Sequence, residues 1–294
     1  MAEPRAAGTI YDLGYRPYTG ERLGRAHAVR SLLKFSFDSA FGVGRGEKAK
    51  TMPVLVIGFV YLFAIGRIFA ASATGMDRFI NYAEFLEFTA FLIALFAAAQ
   101  APELVIADKQ HGVLSLYLSR PLKASDYALA KLGALTSAML VITLGPQLLL
   151  FLGKLSVADS AWVAFKGEWA KLFPIVGGTL LTSLFVASIA LLLSSFATRR
   201  GYGSAAVIVF FLLVPALVTM FRTITIGDLR RYAILAHPVY LISGFANWLF
   251  EIEARRRSVV GRAELPGQLY LFVMIAVCVF CITIFVKRYR RLEA

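Results

Sequence analysis

The sequence has only two cysteines and three histidines among 294 residues, and few acidic side chains, 18 against 31 Lys and Arg. Cys278 and Cys281 share one apolar run. A CxxC pair can be redox-active or half of a metal site, but no second pair is present to complete a four-sulfur site. The plainer reading is two small apolar side chains on one helix face. His27, His111 and His237 all fall outside the long apolar runs, and neither HExxH nor GxSxG occurs. A membrane hydrolase needs a nucleophile and a base on facing helices, and the residues supply no such pair. The nearest approach to a nucleotide motif is Gly44-Arg45-Gly46-Glu47-Lys48-Ala49-Lys50-Thr51. It lacks the glycine before the lysine that lets a backbone wrap phosphates, and no apolar strand precedes it. A basic linker is the expected role, and no enzyme activity is expected of the chain.

What is abundant is apolar surface. The chain is 59% hydrophobic with a mean hydropathy of +0.70. Such content in long runs means that lipid replaces water as solvent. Strands of a membrane barrel would alternate at every second residue. Runs such as Val54-Leu55-Val56-Ile57 and Leu148-Leu149-Leu150-Phe151-Leu152 do not alternate, so an all-α integral membrane fold is expected. Six candidate spans, near 52–72, 84–107, 131–153, 172–197, 203–221 and 268–286, each approach the ~20 residues a bilayer requires. The first begins behind a long polar and basic stretch, a position that predicts no cleaved leader. The implied organisation is an N-terminal segment 1–51, a six-helix domain 52–286 and a basic tail 287–294.

The net charge of +13 clusters beside the apolar runs. That placement points to membrane orientation and anionic lipid rather than nucleic acid. With both termini inside, the inner segments hold 19 Lys and Arg and the outer ones 11, which favours cytoplasmic termini. Arg255, Arg256 and Arg257, in the long segment 222–267, run against this trend. Before the first span, Val29, Leu32, Leu33, Phe37, Ala40 and Phe41 recur at helical spacing, with Arg30, Lys34 and Asp38 opposite. A basic amphipathic helix at the membrane surface is expected there. Segment 222–267 contains apolar pieces too short to span, 235–242 and 245–250, which predict re-entrant or interfacial helices.

Charges at the span ends are the candidate functional groups. Arg67 lies near the outer end of span one, and Glu84 and Glu87 open span two on that side. They are expected either to pair loosely at the interface or to line the outer mouth of a pathway. Glu103 and Asp108 sit at the inner end of span two, near Lys131, where an ion pair or a moving gate is expected. Thr179, Thr182, Ser183, Ser188, Ser194 and Ser195 gather on span four, where small hydroxyl residues favour close helix packing.

The stretch Asp108-Lys109-Gln110-His111-Gly112-Val113-Leu114-Ser115-Leu116-Tyr117-Leu118-Ser119-Arg120-Pro121-Leu122, followed by Asp126-Tyr127 and Lys131, resembles the cytoplasmic segment of bacterial ABC-2 type transporter permeases. The opening Tyr11-Asp12-Leu13-Gly14-Tyr15-Arg16-Pro17-Tyr18-Thr19-Gly20 is similar to the same group. The resemblance implies a bacterial cytoplasmic-membrane permease that binds no cofactor itself. It would pair with a second permease copy and with ABC ATPase subunits that carry the ATP and magnesium. Asp108, Lys109, His111, Gly112, Leu114, Leu116, Leu118, Arg120 and Pro121 would form the ATPase-coupling element. Family cargoes include lipids, glycan precursors, drugs and ions, and the scarcity of buried charge leans toward an amphipathic or hydrophobic one. A secondary transporter or ion-conducting protein is the alternative, and it would require ionisable groups near mid-membrane.

Overall fold

The computed structural model describes residues 23–76, 79–118, 122–158, 160–252 and 258–291. Among these there is no β-strand. In chain order the α-helices are α1 (Arg25–Ala40), α2 (Glu47–Thr74), α3 (Tyr82–Gln110), α4 (Leu114–Leu118), α5 (Ala124–Val157), α6 (Ala161–Glu168), α7 (Leu172–Phe196), α8 (Arg200–Ile224), α9 (Gly227–Tyr232), α10 (Pro238–Leu249), α11 (Val259–Ala263) and α12 (Gly267–Arg290). Six of them, α2, α3, α5, α7, α8 and α12, are long and apolar enough to cross a membrane. The chain is a multi-pass, all-α membrane protein, with the expected spans inside these helices to within a residue.

The core is built on α3, α5 and α7. In the most apolar part of the fourth crossing, which includes α7, 72% of residues are buried, against 6% on α8. The hydroxyl residues of α7 explain its central place. Thr179, Thr182, Ser183, Ser188, Ser194 and Ser195 are all buried. Several bond back to their own helix, as Thr179 Oγ1 does to the Ile175 carbonyl at 2.7 Å, and Ser183 meets Thr143 of α5 at 3.2 Å. Small side chains let backbones approach where lipid supplies no hydrophobic drive, and a hydroxyl bonded to its own helix adds little cost. Glycines do the same for α2. A Cβ on Gly145 or Gly153 of α5 would overlap Tyr61 or Ile68, and Tyr61 donates to the Val141 carbonyl at 3.2 Å. Prolines 53, 102, 146 and 215 sit inside long helices, as membrane helices tolerate. Cys278 and Cys281 are free thiols buried on α12.

Amphipathic α1 lies across one end of the bundle, packing on α5 and α3. Leu32, Ser36 and Ala40 are buried, Val29, Leu33, Phe37 and Phe41 pack against the core, and Arg30 and Lys34 stay exposed. The helix ends in a Schellman turn: Val43 N–H donates to the Asp38 carbonyl and Gly42 N–H to that of Ser39. Gly42 has φ +75, the left-handed conformation this turn requires. The polar run at 44–51 becomes a short turn and the first residues of α2.

At the opposite end, the described residues between α8 and α12 form short helices. At 12 residues, α10 is about 18 Å long and too short to cross. It buries Leu241, Ile242, Phe245 and Ala246 between α3 and α12. His237 caps it, Nδ1 accepting the Tyr240 N–H at 3.2 Å while the two rings stack at 3.7 Å. Burial lowers the His237 pKa to about 4, in keeping with a neutral ring that accepts at Nδ1.

Candidate functional site

Charged groups gather at both ends of the bundle. At the α1 end, α3 finishes in a second Schellman turn, Val113 N–H to the Asp108 carbonyl and Gly112 N–H to that of Lys109, with Gly112 at φ +66. The turn reverses the chain into α4. Leu114 packs against the core and Leu116 is 63% exposed. Of the leucines expected in the coupling element, Leu116 is thus the one whose described side chain faces outward. A side chain on Gly112 would meet open space within this chain, while its left-handed backbone conformation favours glycine. The side chain of Leu118, and Arg120, Pro121 and the motif at 11–20, lie outside the described residues.

The α4 element is anchored by a buried ion pair. Lys131 Nζ is 2.8 Å from Asp108 Oδ2, and the Tyr127 hydroxyl donates to the same oxygen at 2.7 Å. Lys131 is 1% exposed. A buried ion of either sign is costly unless its partner is held in place. Beside the pair, Lys109 Nζ and Arg288 Nε both donate to the Ser195 carbonyl at the end of α7, at 2.8 and 3.1 Å. Two cations on a helix C-terminus satisfy both its unbonded carbonyl and its dipole. Glu103 does not join Lys131. It pairs with Arg200 and Arg45, at 2.9 and 2.8 Å, and Arg200 reaches His111 at 3.2 Å. Arg45 also bonds Gln100 and the Ser39 carbonyl. Arg25 grips Asp126 through two hydrogen bonds of 2.7 and 2.6 Å, which raises the Arg25 pKa. The network thus joins α1, α3, α5, α7, α8 and α12 at one end. Sequence reasoning placed Asp108, Lys109 and His111 here but missed Arg45, Tyr127 and Arg200. Their position at the mouths of neighbouring spans was the available signal.

At the α10 end an open cleft of about 860 Å³ lies between α3, α10 and the segment at 258–260. Glu84 and Glu87 line it, as do Lys154, Lys171, Tyr240 and Ser243. Arg67 pairs with Glu84 at 3.2 Å and donates to the Phe79 carbonyl. Glu87 accepts from Ser243 at 2.8 Å. Lys154 and Lys171 converge on one oxygen of Glu168, at 2.8 and 2.9 Å. Of the four candidate pathway or gate residues, Arg67, Glu84 and Glu87, expected at one mouth, are together here, and Glu103, expected at the opposite end of the same span, lies in the network there. The two lysines and Ser243 were not foreseen, because they reach the cleft from segments remote in sequence.

A scan against protein-family models and a search of curated proteins each returned no match.

Proposed function

We propose that the chain is the membrane-spanning permease subunit of an ATP-driven, ABC-2 type exporter in a bacterial cytoplasmic membrane, moving an amphipathic or hydrophobic cargo. A separate ATPase subunit would hydrolyse ATP, and both chain termini would face the cytoplasm. The observation that carries this reading is α4. It is a short helix with Leu116 exposed, set between α3 and α5 by a Schellman turn and the Asp108–Lys131 pair. A rigidly anchored helix of this kind can pass a push from a docked partner to two spans at once. The apolar faces of α2 and α8, with Val54, Leu62 and Phe69 on one and Leu212, Leu217 and Met220 on the other exposed, suit lipid or a second permease copy.

A tagged chain purified from its native membrane should bring with it an ATPase bearing an intact P-loop. Leu116→Asp should keep the permease inserted while at least halving ATPase recovery. Wild-type protein purified with no such ATPase would overturn the proposal.

A second reading is favoured by Glu87, an ionisable group on a spanning helix that no cation pairs among the described residues. It is a secondary transporter driven by an ion gradient. Transport by the chain alone in vesicles, driven by such a gradient without ATP, would select it.

A further inference from the structure

The cleft at the α10 end has walls of opposite charge preference. On the α3 wall, Glu87 is half-buried, held by the Ser243 hydroxyl at 2.8 Å, and in no ion pair among the described residues. Its neighbour Glu84 already has Arg67. A carboxylate on a spanning helix is stabilised by a cation, and Phe88 and Tyr240 put aromatic surface beside it, which also favours a cationic group. The other wall has the opposite imbalance. Among the described residues, Lys154 and Lys171 share a single Glu168 oxygen, leaving two ammonium groups for one carboxylate. That surplus suits an anion with several acceptor oxygens. The cavity, at about 860 Å³, lies within the roughly 300–1,000 Å³ range of small-molecule sites.

We propose that this cleft binds a zwitterionic headgroup, with its ammonium against Glu87 and its phosphate against Lys154 and Lys171. A ligand of one sign would satisfy one wall and leave the other unmatched. A phospholipid headgroup and a free phosphocholine-like solute share this chemistry. The assignment defines the class of cargo and, in that sense alone, rests on the permease reading. Binding itself requires neither ATP nor a partner.

The test uses the full chain, purified and delipidated in a neutral detergent. Binding is measured by native mass spectrometry for dihexanoyl-phosphatidylcholine, dihexanoyl-phosphatidylglycerol and hexyltrimethylammonium. Glycerophosphocholine, as a competitor, separates a soluble ligand from a lipid: displacement of the lipid shows that the headgroup alone suffices, and its absence shows that the acyl chains contribute. The zwitterionic probe should bind at least tenfold more tightly than either singly charged one. Glu87→Gln should weaken it by about tenfold through the lost charge attraction to the quaternary ammonium, and Lys171→Gln by about tenfold, as expected for a lost charge-assisted hydrogen bond to the phosphate. Phe280→Ala, on an exposed face of α12, should leave binding unchanged. Equal affinity for the three probes, or Lys171→Gln binding like wild type, would overturn the proposal. Lys171 is the more exposed of the two lysines, so its variant remains decisive if Glu87→Gln fails to fold. None of these outcomes depends on ATPase recovery, so the cleft assignment and the permease reading fail separately.

Discussion

Removing Lys131 should be the most damaging single change at the α1 end. Its ammonium lies 2.8 Å from Asp108 and is 1% exposed as a residue. Lys131→Met fits the space but leaves the Asp108 carboxylate buried with only the Tyr127 hydroxyl among its observed partners. Breaking a buried pair from one side costs about 3–5 kcal/mol, whereas replacing both partners with apolar groups is often near neutral. Here the double variant Asp108→Leu/Lys131→Met also strands the Tyr127 hydroxyl, at about 1–3 kcal/mol. The single variant should therefore be less stable than the double. For a chain of this length a loss of 3–5 kcal/mol corresponds to a fall in Tm on the order of 10 °C. The assay is size-exclusion recovery of detergent-solubilised protein after stepwise heating. A Lys131→Met midpoint within a degree or two of wild type, or a double variant that falls as far as the sum of the two singles, would refute the reasoning, because either result means that the pair is not coupled.

Three further outcomes are expected. The His237 pKa is lowered to about 4, below the ~6.5 of an unfolded histidine, so the unfolded state binds more protons between these values. The stability from a neutral cap should be complete above pH 6.5 and decline toward pH 4, and His237→Asn, which keeps a cap acceptor, should flatten the Tm profile across that window. Glu251 adopts φ +55 at the end of α10, where Ile252 N–H donates to the Asn247 carbonyl, so Glu251→Gly should raise stability by about 1 kcal/mol, read as a Tm rise of a few degrees. Gly112→Ala should cost about 1 kcal/mol and Gly112→Asn less, since asparagine tolerates the left-handed conformation better, and thermal denaturation of the two variants side by side checks the order.

The spans were legible because lipid-facing helices cannot hide their composition, and α1 was legible from the spacing of Leu32, Leu33 and Phe37. The buried hydroxyls of α7 also announced themselves, since six small polar residues on one apolar run favour close packing over a substrate groove. The depth order of the helices was not legible. α8 is as apolar as α7, yet it lies at the edge with Gly203 and Val207 its only buried residues among those described. Hydropathy measures what a helix can tolerate, not which neighbours it has. Ion-pair choice was legible only in part. The match of Asp108 to Lys131 followed from their places at adjoining span ends, but Glu103 had several cations within reach, and only the fold chose Arg45 and Arg200. The Glu87–Ser243 bond was hidden for another reason: it depends on α10 turning its polar side, with Tyr240 and Asn247, toward α3.

Helix α3 connects the two charged ends, and its sequence explains how it can do so. Glu84 and Glu87 stand at one end, and Glu103, Asp108 and Lys109 at the other. From Phe88 to Pro102 it carries no charge at all. At 1.5 Å per residue, Glu87 and Glu103 are about 24 Å apart along the axis, close to the thickness of a hydrocarbon core. The helix therefore places its acids where protein partners or interfacial water can satisfy them, leaving the middle to lipid and to α5 and α7. The same spacing has a mechanical consequence for the proposed function. The α4 turn is locked to α3 through Asp108 and Gly112, and Glu87 forms one wall of the cleft. A tilt imposed at α4 would carry Glu87 with it, unless α3 bends. Pro102 marks where bending is easiest, because it leaves the Ala98 carbonyl without its helical donor. That proline lies beside Glu103 and nearly two turns from Asp108, toward the anchored end. The stretch between it and Glu87 is continuous helix, so motion on the cleft side of the hinge stays rigid as far as the cleft.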